Sequence, residues 1–488
     1  MNVQILVDDQ KVFPWHKSEV GFIRGYILLD DGAELSGEKA LDYLRSVLVD
    51  VDLNSFQNWN GSFAAIVLDQ DKCYAISDGI SSFPLFYRQS NDGIIISDSA
   101  IKLSELDENI FKSNTLHFEL FSICPGNETL IKGVFQILAG EGILFSNGAI
   151  TSFQHGNIAL KVKRKDDTIQ NVWDNVLDRL LNDKKPSKWL IPLSGGWDSR
   201  LLLASLWDRG VRNIVTYTYG SKNSFEVKTA QSVAQQLGVE WHFVEYDNEC
   251  LSTFWKEDVQ NFFKEQSKGA FSIQEQEVFA LLKLKEKGII ESGYKALPGY
   301  CCDLLAGSYT IQGVRETDLF DREVATQWVK AKHMSFIKST DLSETAEELL
   351  FSQLFIRDCN TMGEWMSHYE RWFTQQKVSK YIISGLRSFE WMGLEWRLPY
   401  WDRQWMNLWY NTDFEFRWNR NLFKQWANER YFTPLGLTMS EESEESFKAN
   451  SWKERLRVHY PNVFSALKRF VFWRKAVDIN NAKYLQNS

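Results

Sequence analysis

The chain has 488 residues, of which 44% are hydrophobic, and this length predicts two or three domains with substantial cores. Its formal net charge of −9 argues against a nucleic-acid-binding surface, because contacts to phosphates need clustered lysine and arginine side chains. The six cysteines have no Cys-x-x-Cys spacing and the seven histidines are scattered, so we expect reduced thiols and no zinc site.

The first 155 residues are predicted to form a β-rich domain. Residues 59–69 have the composition of a strand. Near the end of this region, Asn147-Gly148 predicts a hairpin turn, which is followed by a last strand through Phe153.

A charged linker separates this region from a second domain. The linker is predicted over residues 156–168, where lysine, arginine and aspartate dominate the stretch 161–167. A helix from about Ile169 to Leu181 then opens the second domain, which we place at residues 169–488.

One run of ten residues has the pattern of an anion site. It consists of Ile191, Pro192, Leu193, Ser194, Gly195, Gly196, Trp197, Asp198, Ser199 and Arg200. The two glycines allow a tight turn with inward N–H groups, and the apolar residues that follow start a helix whose N-terminus adds partial positive charge. Ser194 and Ser199 can donate hydrogen bonds to phosphate oxygens, whereas Asp198 repels them unless a cation lies between. The run therefore predicts magnesium and a second acidic ligand elsewhere in the chain.

The elements after this run predict a parallel sheet. Residues 213–220 are β-branched and aromatic, as in a strand, and Glu226 to Leu237 is predicted as a helix with Gly238 at its C-cap. Residues 239–244 are the next strand. This βαβαβ order predicts a doubly wound sheet with its ligand at the carboxyl ends of the strands.

Three later segments complete a family resemblance. The run at 191–200 resembles the pyrophosphate loop of the ATP-pyrophosphatase superfamily, whose members adenylate a carboxylate or carbonyl and release pyrophosphate. Residues 296–307 resemble the Ser-Gly-x-Gly-Ala-Asp-Glu motif of asparagine synthetases, and residues 387–402 resemble the Gly-x-Glu-x-Arg-x-Pro-Phe-x-Asp signature of that family. Residues 447–450 lie where the family has a mobile-loop lysine. The chain is therefore similar to the asparagine synthetase family over roughly residues 190–450.

The resemblance implies the roles of individual residues. Magnesium would lie between Asp198 and Asp303, Arg387 would contact the ATP phosphates, and Lys448 would stabilise the adenylation transition state; Lys424 is the competing lysine, with a solvated helix position as its alternative. The implied ATP contacts are Leu193, Ser194, Gly195, Gly196, Asp198, Ser199, Tyr217 and Gly299.

The N-terminal region resembles the glutaminase domain of the same family, an Ntn-type β-sandwich with helices, but lacks its chemistry. Such a glutaminase uses the thiol of an N-terminal cysteine, whereas the second residue is Asn2 and the first cysteine is Cys73. Ser77 also replaces the arginine of a family segment. We therefore expect a degenerate, non-hydrolytic domain, as in the β-lactam and carbapenam synthetases and the lasso-peptide cyclases.

Tyr300 bears on the choice of nitrogen donor. The residue after Pro298-Gly299 is acidic in asparagine synthetases and tyrosine in β-lactam-type synthetases, where it works with a glutamate to deprotonate an amine. The sequence does not assign the carboxylate partner of Tyr300, for which Glu364 and Glu390 are candidates, and the alternative is that Tyr300 only packs beneath the loop.

The predicted function is that of an ATP-dependent C–N ligase. It would adenylate a substrate carboxylate, which belongs to a small molecule or a peptide, and transfer the acyl group to an amine or ammonia without glutaminase activity. The alternatives are an asparagine synthase that takes ammonia directly or from a partner, and a non-catalytic nucleotide-binding protein. The nature of the carboxylate stays open, and so does the oligomeric state, with a homodimer as one option.

The segment that includes residues 441–445 is predicted as a solvated loop in an active-site lid, and residues 453–474 as an amphipathic helix packed on the second domain. A membrane-surface or docking role is the alternative for the latter. Because the chain has no 18-residue apolar run and residues 1–11 lack a signal-peptide pattern, we expect a cytoplasmic protein without a membrane span.

Overall fold

The structure is a computed structural model that describes residues 2–49, 59–90, 93–106, 112–155, 168–182, 186–246, 256–274, 276–334 and 340–437. The predictions for Lys448, for the lid segment 441–445, for the helix 453–474 and for the charged stretch 161–167 lie outside the described residues. We call residues 2–155 the N-terminal part and residues 168–437 the C-terminal part.

The strands are β1 Val3–Leu6, β2 His16–Ser18, β3 Gly21–Leu28, β4 Glu34–Ser36, β5 Asn60–Asp69, β6 Lys72–Ser77, β7 Phe86–Ser90, β8 Gly93–Ser97, β9 Phe135–Gln136, β10 Glu141–Ser146, β11 Ala149–Gln154, β12 Trp189–Pro192, β13 Ile214–Gly220, β14 Glu240–Glu245, β15 Lys295–Ala296 and β16 Glu395–Trp396. The α-helices are α1 Gly37–Val49, α2 Lys112–Phe121, α3 Ile169–Asn182, α4 Trp197–Asp208, α5 Phe225–Leu237, α6 Glu257–Gln266, α7 Val278–Glu286, α8 Arg322–Val329, α9 Thr340–Leu354, α10 Met362–Phe373, α11 Leu386–Trp391, α12 Arg403–Tyr410, α13 Phe414–Arg417 and α14 Asn421–Ala427. Within the described ranges, none of these helices combines the length and apolar character needed to cross a bilayer.

The N-terminal part contains two sheets. One has the strand order β1-β8-β7-β9, and the other has the order β11-β10-β6-β5-β3-β2, with β4 paired to β3. The predicted hairpin is confirmed, since Ser146 pairs with Ala149 across a turn in which Asn147 and Gly148 have φ angles of 53° and 76°. These left-handed angles are those that a two-residue hairpin turn requires.

The C-terminal part is built on a five-stranded parallel sheet with the order β14-β13-β12-β15-β16. The predicted strand–helix–strand succession is confirmed. Helix α5 begins after Ser224, whose hydroxyl accepts a hydrogen bond from Val227 N, and it ends at Gly238 with a φ of 63°. Because β12 and β13 lie side by side and point the same way, the loops after them meet at one edge of the sheet.

The two parts share one hydrophobic core. The ring of Trp396, at the end of β16, lies 5.0 Å from the ring of Phe13 and 5.4 Å from that of Phe83, both in the N-terminal part. A hydrogen bond of 2.8 Å also joins Asn60 Nδ2 to Asp402 Oδ2. The segment between β16 and α12 is therefore packed against the N-terminal part on one side, and it reaches the sheet edge on the other.

Candidate active site

A cavity of about 430 Å³ opens at the carboxyl ends of β12 and β13. It is lined by Pro192, Leu193, Ser194, Gly195, Gly196, Trp197, Asp198, Ser199, Tyr217, Thr218, Tyr219, Glu226, Gln274, Gln276, Glu277, Pro298, Gly299, Tyr300, Asp303 and Arg420. Apart from Arg387, the described residues that the resemblance assigned to ATP and magnesium thus line one cavity, together with Tyr300.

The loop between β12 and α4 is fixed by its own serines. Ser199 Oγ accepts a hydrogen bond of 3.0 Å from Ser194 N, and Ser194 Oγ accepts one of 3.1 Å from Gly196 N. The N-cap residue of α4 is Gly196, which has no side chain to cap the helix. The first turn of α4 lines the cavity, so its N–H groups and dipole favour an anion there.

Two carboxylates meet beside this loop. Asp198 Oδ2 accepts a hydrogen bond of 3.0 Å from Asp303 N, whereas the buried Asp198 Oδ1 has no hydrogen-bond partner among the described residues. Burial and then the charge of Asp303 raise the pKa of Asp198 to about 7, and the positive charge of Arg420 opposes this rise. An unpartnered carboxylate oxygen next to a second carboxylate fits a hard divalent cation such as magnesium. Within the described ranges, no group of three or more acidic, histidine or cysteine side chains forms a larger metal site.

The segments that follow β15 and β16 pack against Asp198, Ser199 and Tyr300. Tyr400 Oη donates a hydrogen bond of 2.6 Å to Asp198 O, and Trp401 Nε1 donates one of 3.1 Å to Tyr300 O. A Cβ atom on Gly299 would lie 3.0 Å from Ser199 N, tighter than an ordinary van der Waals contact, so glycine favours the close approach of this loop to the start of α4.

Tyr300 is paired with a glutamate that the sequence did not identify. Its hydroxyl donates a hydrogen bond of 2.5 Å to Glu277 Oε2, while Tyr217 Oη donates one of 3.1 Å to Glu277 Oε1. Burial raises the pKa of Glu277 to about 7, although both hydrogen bonds act in the opposite direction. Burial and the charge of Glu277 also raise the pKa values of both tyrosines.

Neither of the two glutamates considered from the sequence pairs with Tyr300. Glu364 Oε2 accepts a hydrogen bond of 2.7 Å from Asn360 N at the start of α10. Glu390 forms ion pairs of 2.8 Å with Arg24 and with Arg387. The candidates were wrong because glutamate positions along the chain give no information on a pairing made between distant loops.

Arg387, which the resemblance assigned to the phosphates, does not line the cavity. Its guanidinium is buried between the two parts of the chain, where it donates to Ser82 O at 2.8 Å and pairs with Glu390. Arg420, which no sequence motif indicates, lines the cavity and provides positive charge there instead. Lys424 Nζ lies 5.7 Å from the ring centroid of Trp197, so Lys424 is half-buried against an aromatic side chain rather than fully solvated.

Residues 187–429 match the family model described as asparagine synthase. No curated protein matches the chain. Solved structures similar to it include an NMN synthetase from Francisella tularensis, with 11% identity and a TM-score of 0.21 over 50% of this chain and 94% of that one. A glutamine phosphoribosylpyrophosphate amidotransferase from B. subtilis, with bound ADP and GMP, has 9% identity and a TM-score of 0.18 over 58% of this chain and 63% of its own. An allosteric regulatory enzyme of purine biosynthesis has 12% identity and a TM-score of 0.17 over 66% and 60%.

Proposed function

Because residues 187–429 match the family model described as asparagine synthase, we propose that this protein is an ATP-dependent ligase that joins a carboxylate to an amine or to ammonia. The observation that carries the proposal is the single cavity in which the loop at 193–199 and the carboxylates of Asp198 and Asp303 meet the Tyr300–Glu277 pair. The loop and the two aspartates fit phosphates and a cation, and the Tyr300–Glu277 pair fits the role of a proton acceptor.

ATP would bind with its pyrophosphate over Ser194, Gly195, Gly196 and Ser199. Magnesium held by Asp198 and Asp303 would neutralise charge on the phosphates and fix their orientation. Arg420 would add positive charge on the same side, in the role that the sequence assigned to Arg387. The role proposed for Lys448 at the transition state rests on the sequence pattern alone.

The proposed reaction has two steps. An oxygen of the substrate carboxylate attacks the α-phosphorus of ATP, and pyrophosphate leaves. The nitrogen of the acceptor then forms a C–N bond with the acyl carbon, and the bond from that carbon to the AMP oxygen breaks, its electron pair staying on AMP. The proton lost by the nitrogen passes to Tyr300 Oη while the phenol proton passes to Glu277 Oε2, which is 2.5 Å away.

We propose that the nitrogen does not come from glutamine hydrolysis by this chain. The cysteines of the described N-terminal part are Cys73 and Cys124, and both are buried. Burial raises the pKa of each thiol to about 12, which disfavours the thiolate that a glutaminase nucleophile requires. An asparagine synthase that takes up ammonia and a non-catalytic nucleotide-binding protein are the competing functions. Because the reaction consumes ATP, we propose a cytoplasmic location.

The test is pyrophosphate release from Mg·ATP with a panel of amino acid, peptide, sugar-acid and antibiotic-precursor carboxylates, each offered glutamine, ammonium or a primary amine. Release that depends on a carboxylate supports the ligase, ammonium-only turnover of aspartate indicates asparagine synthesis, and binding of Mg·ATP without any turnover indicates a nucleotide-binding protein.

Asp303→Asn should abolish release. The matched control is Asp208→Asn, at the exposed end of α4, where Asp208 pairs with Arg430. Near-normal turnover of Asp303→Asn would refute the metal assignment.

A further inference from the structure

Tyr217, which the resemblance assigned to ATP, directs its hydroxyl to Glu277. Its side chain is 0% exposed, and its hydroxyl is committed to Glu277 Oε1. It lies in the middle of β13, a strand paired on both sides, so its backbone cannot shift without disturbing the sheet. A phenol held this firmly is suited to fixing the group that it contacts.

Each oxygen of the Glu277 carboxylate has its own phenol donor. Tyr217 donates to Oε1 at 3.1 Å, and Tyr300 donates to Oε2 at 2.5 Å. Without the first bond, the carboxylate plane could turn about its terminal torsion, which is broad for glutamate, and its oxygens would move out of line with Tyr300 Oη. With that bond in place, the plane is held so that one oxygen faces Tyr217 and the other faces Tyr300.

Tyr300 itself is confined on its other side. A Cβ atom on Gly385 would lie 2.9 Å from Tyr300 Oη, and Trp401 Nε1 holds the Tyr300 carbonyl. The phenol of Tyr300 therefore has little freedom to follow a carboxylate that moves. The geometry of the hydrogen bond between Tyr300 and Glu277 therefore depends on the contact that Tyr217, in β13, makes with Glu277.

We propose that Tyr217 is a positioning residue that locks the Glu277 carboxylate so that its Oε2 atom receives the proton from Tyr300. The catalytic role of this contact rests on the proposed function, but the contact itself can be tested without any substrate. Tyr217 keeps its own proton throughout, because its hydroxyl points to the oxygen that Tyr300 does not use.

The titration of Glu277 measures this contact directly. The groups that face its carboxylate are Tyr217 from β13 and Tyr300 from the loop after β15; Tyr219 and Cys301 act electrostatically on the two tyrosines. A hydrogen bond to the ionised carboxylate favours that form, so loss of the Tyr217 hydroxyl should move the protonation midpoint of Glu277 upward. Bonds of this class correspond to a shift of about one pH unit or more.

The experiment is infrared difference spectroscopy of the Glu277 carboxylic acid band, identified by its loss in Glu277→Gln and followed against pH without ATP or substrate. Tyr217→Phe should raise the midpoint by about one unit, a tenfold change in the protonation equilibrium. The matched control is Tyr74→Phe, a buried tyrosine of β6 whose hydroxyl donates to Leu48 O at 3.3 Å, and it should leave the midpoint unchanged.

If Tyr217→Phe does not fold, site-specific replacement of Tyr217 by 3-fluorotyrosine keeps the ring and makes the phenol a stronger donor. It should lower the midpoint. An unchanged midpoint in Tyr217→Phe, or an equal shift in Tyr74→Phe, would overturn the inference. Because no substrate enters the titration, these outcomes are independent of whether the protein forms amides.

Discussion

At the residue scale, the surroundings of Asp198 suit a bound cation but lower the stability of the ligand-free fold. Its Oδ1 atom is buried without a hydrogen-bond partner in the described part of the chain, and its neighbour Asp303 has the same charge. A carboxylate in such surroundings is costly to ionise unless a cation balances it. The side chain is therefore suited to binding rather than to stabilising the fold.

Asp198→Asn should for this reason stabilise the ligand-free protein while it removes magnesium-dependent ATP binding. The pKa of Asp198 is raised to about 7, so the folded state binds more protons than the unfolded chain between about pH 4 and pH 7, and this group lowers stability as the pH rises through that window. At pH 8 the amide removes the penalty, and we expect the free energy of unfolding to rise by up to about 4 kcal/mol, because each unit of the raised pKa corresponds to about 1.4 kcal/mol. Urea unfolding and calorimetric titration with Mg·ATP measure the two effects. A destabilised variant that still binds Mg·ATP normally would contradict this account.

The two candidate lysines give a second residue-scale prediction. Lys448→Ala should bind ATP but lose about 10²- to 10³-fold in turnover, as expected when a donor to developing negative charge is removed. Lys424→Ala should change turnover little, because its Nζ atom packs over the ring of Trp197 at 5.7 Å, a contact worth about 0.5–1 kcal/mol. Steady-state kinetics of both variants provides the comparison. The reverse order of effects would transfer the catalytic role to Lys424.

Local patterns predicted the anion loop but not its partners. The serines, glycines and Asp198 of the loop lie within six residues, and their chemistry follows from that spacing. Glu277 and Arg420 join them only through the tertiary fold, because each lies on a loop or helix end far along the chain with no motif around it. Arg387 was assigned by resemblance, and its burial against Ser82 depends on a contact between the two parts of the chain.

At the element scale, the end of β11 links the two parts of the chain through one histidine. His155 Nε2 lies 2.6 Å from Ser77 O, at the end of β6, and Arg403 Nη2, in α12, donates to His155 O at 3.2 Å. The imidazole is 2% exposed, and burial lowers its pKa to about 3. It must therefore stay neutral for these elements to remain packed.

This gives a pH-dependent prediction for the element. Because the unfolded chain binds a proton on His155 below about pH 6.5 and the folded chain does not until about pH 3, this group lowers the free energy of unfolding as the pH falls through that window. The slope is at most about 1.4 kcal/mol per pH unit. His155→Gln keeps a donor for Ser77 O without titrating, so its acid unfolding curve should be shallower than that of the wild type. His242→Gln, at the surface beside Glu240, serves as the control and should follow the wild type. Equal slopes for wild type and His155→Gln would rule out this role.

At the scale of the whole molecule, a buried group of three charges joins the N-terminal and C-terminal parts. Glu390 pairs with Arg24 from the N-terminal part and with Arg387 from its own helix, each at 2.8 Å, and the three side chains are at most 9% exposed. The guanidiniums of both arginines also lie over the ring of Phe83, at 4.5 and 5.2 Å from its centroid. The two parts are therefore joined by charges that neither part could bury without the other.

Glu390→Gln should reveal this dependence, since it keeps the side-chain shape but leaves two buried guanidiniums without their anion. Removing one partner of a buried ion pair costs about 3–5 kcal/mol, so we expect a loss of that size in the free energy of unfolding. The matched control is Glu286→Gln, at the end of α7, where the side chain is 55% exposed and pairs with Lys283 at 2.8 Å; a surface pair of this kind is worth at most about 1 kcal/mol. If chemical unfolding showed the two variants to be equally stable, the contact between the two parts would rest on apolar packing alone. A selective loss in Glu390→Gln would instead support a role for Arg387 at the junction between the parts, and would leave Arg420 as the arginine that lines the proposed phosphate site.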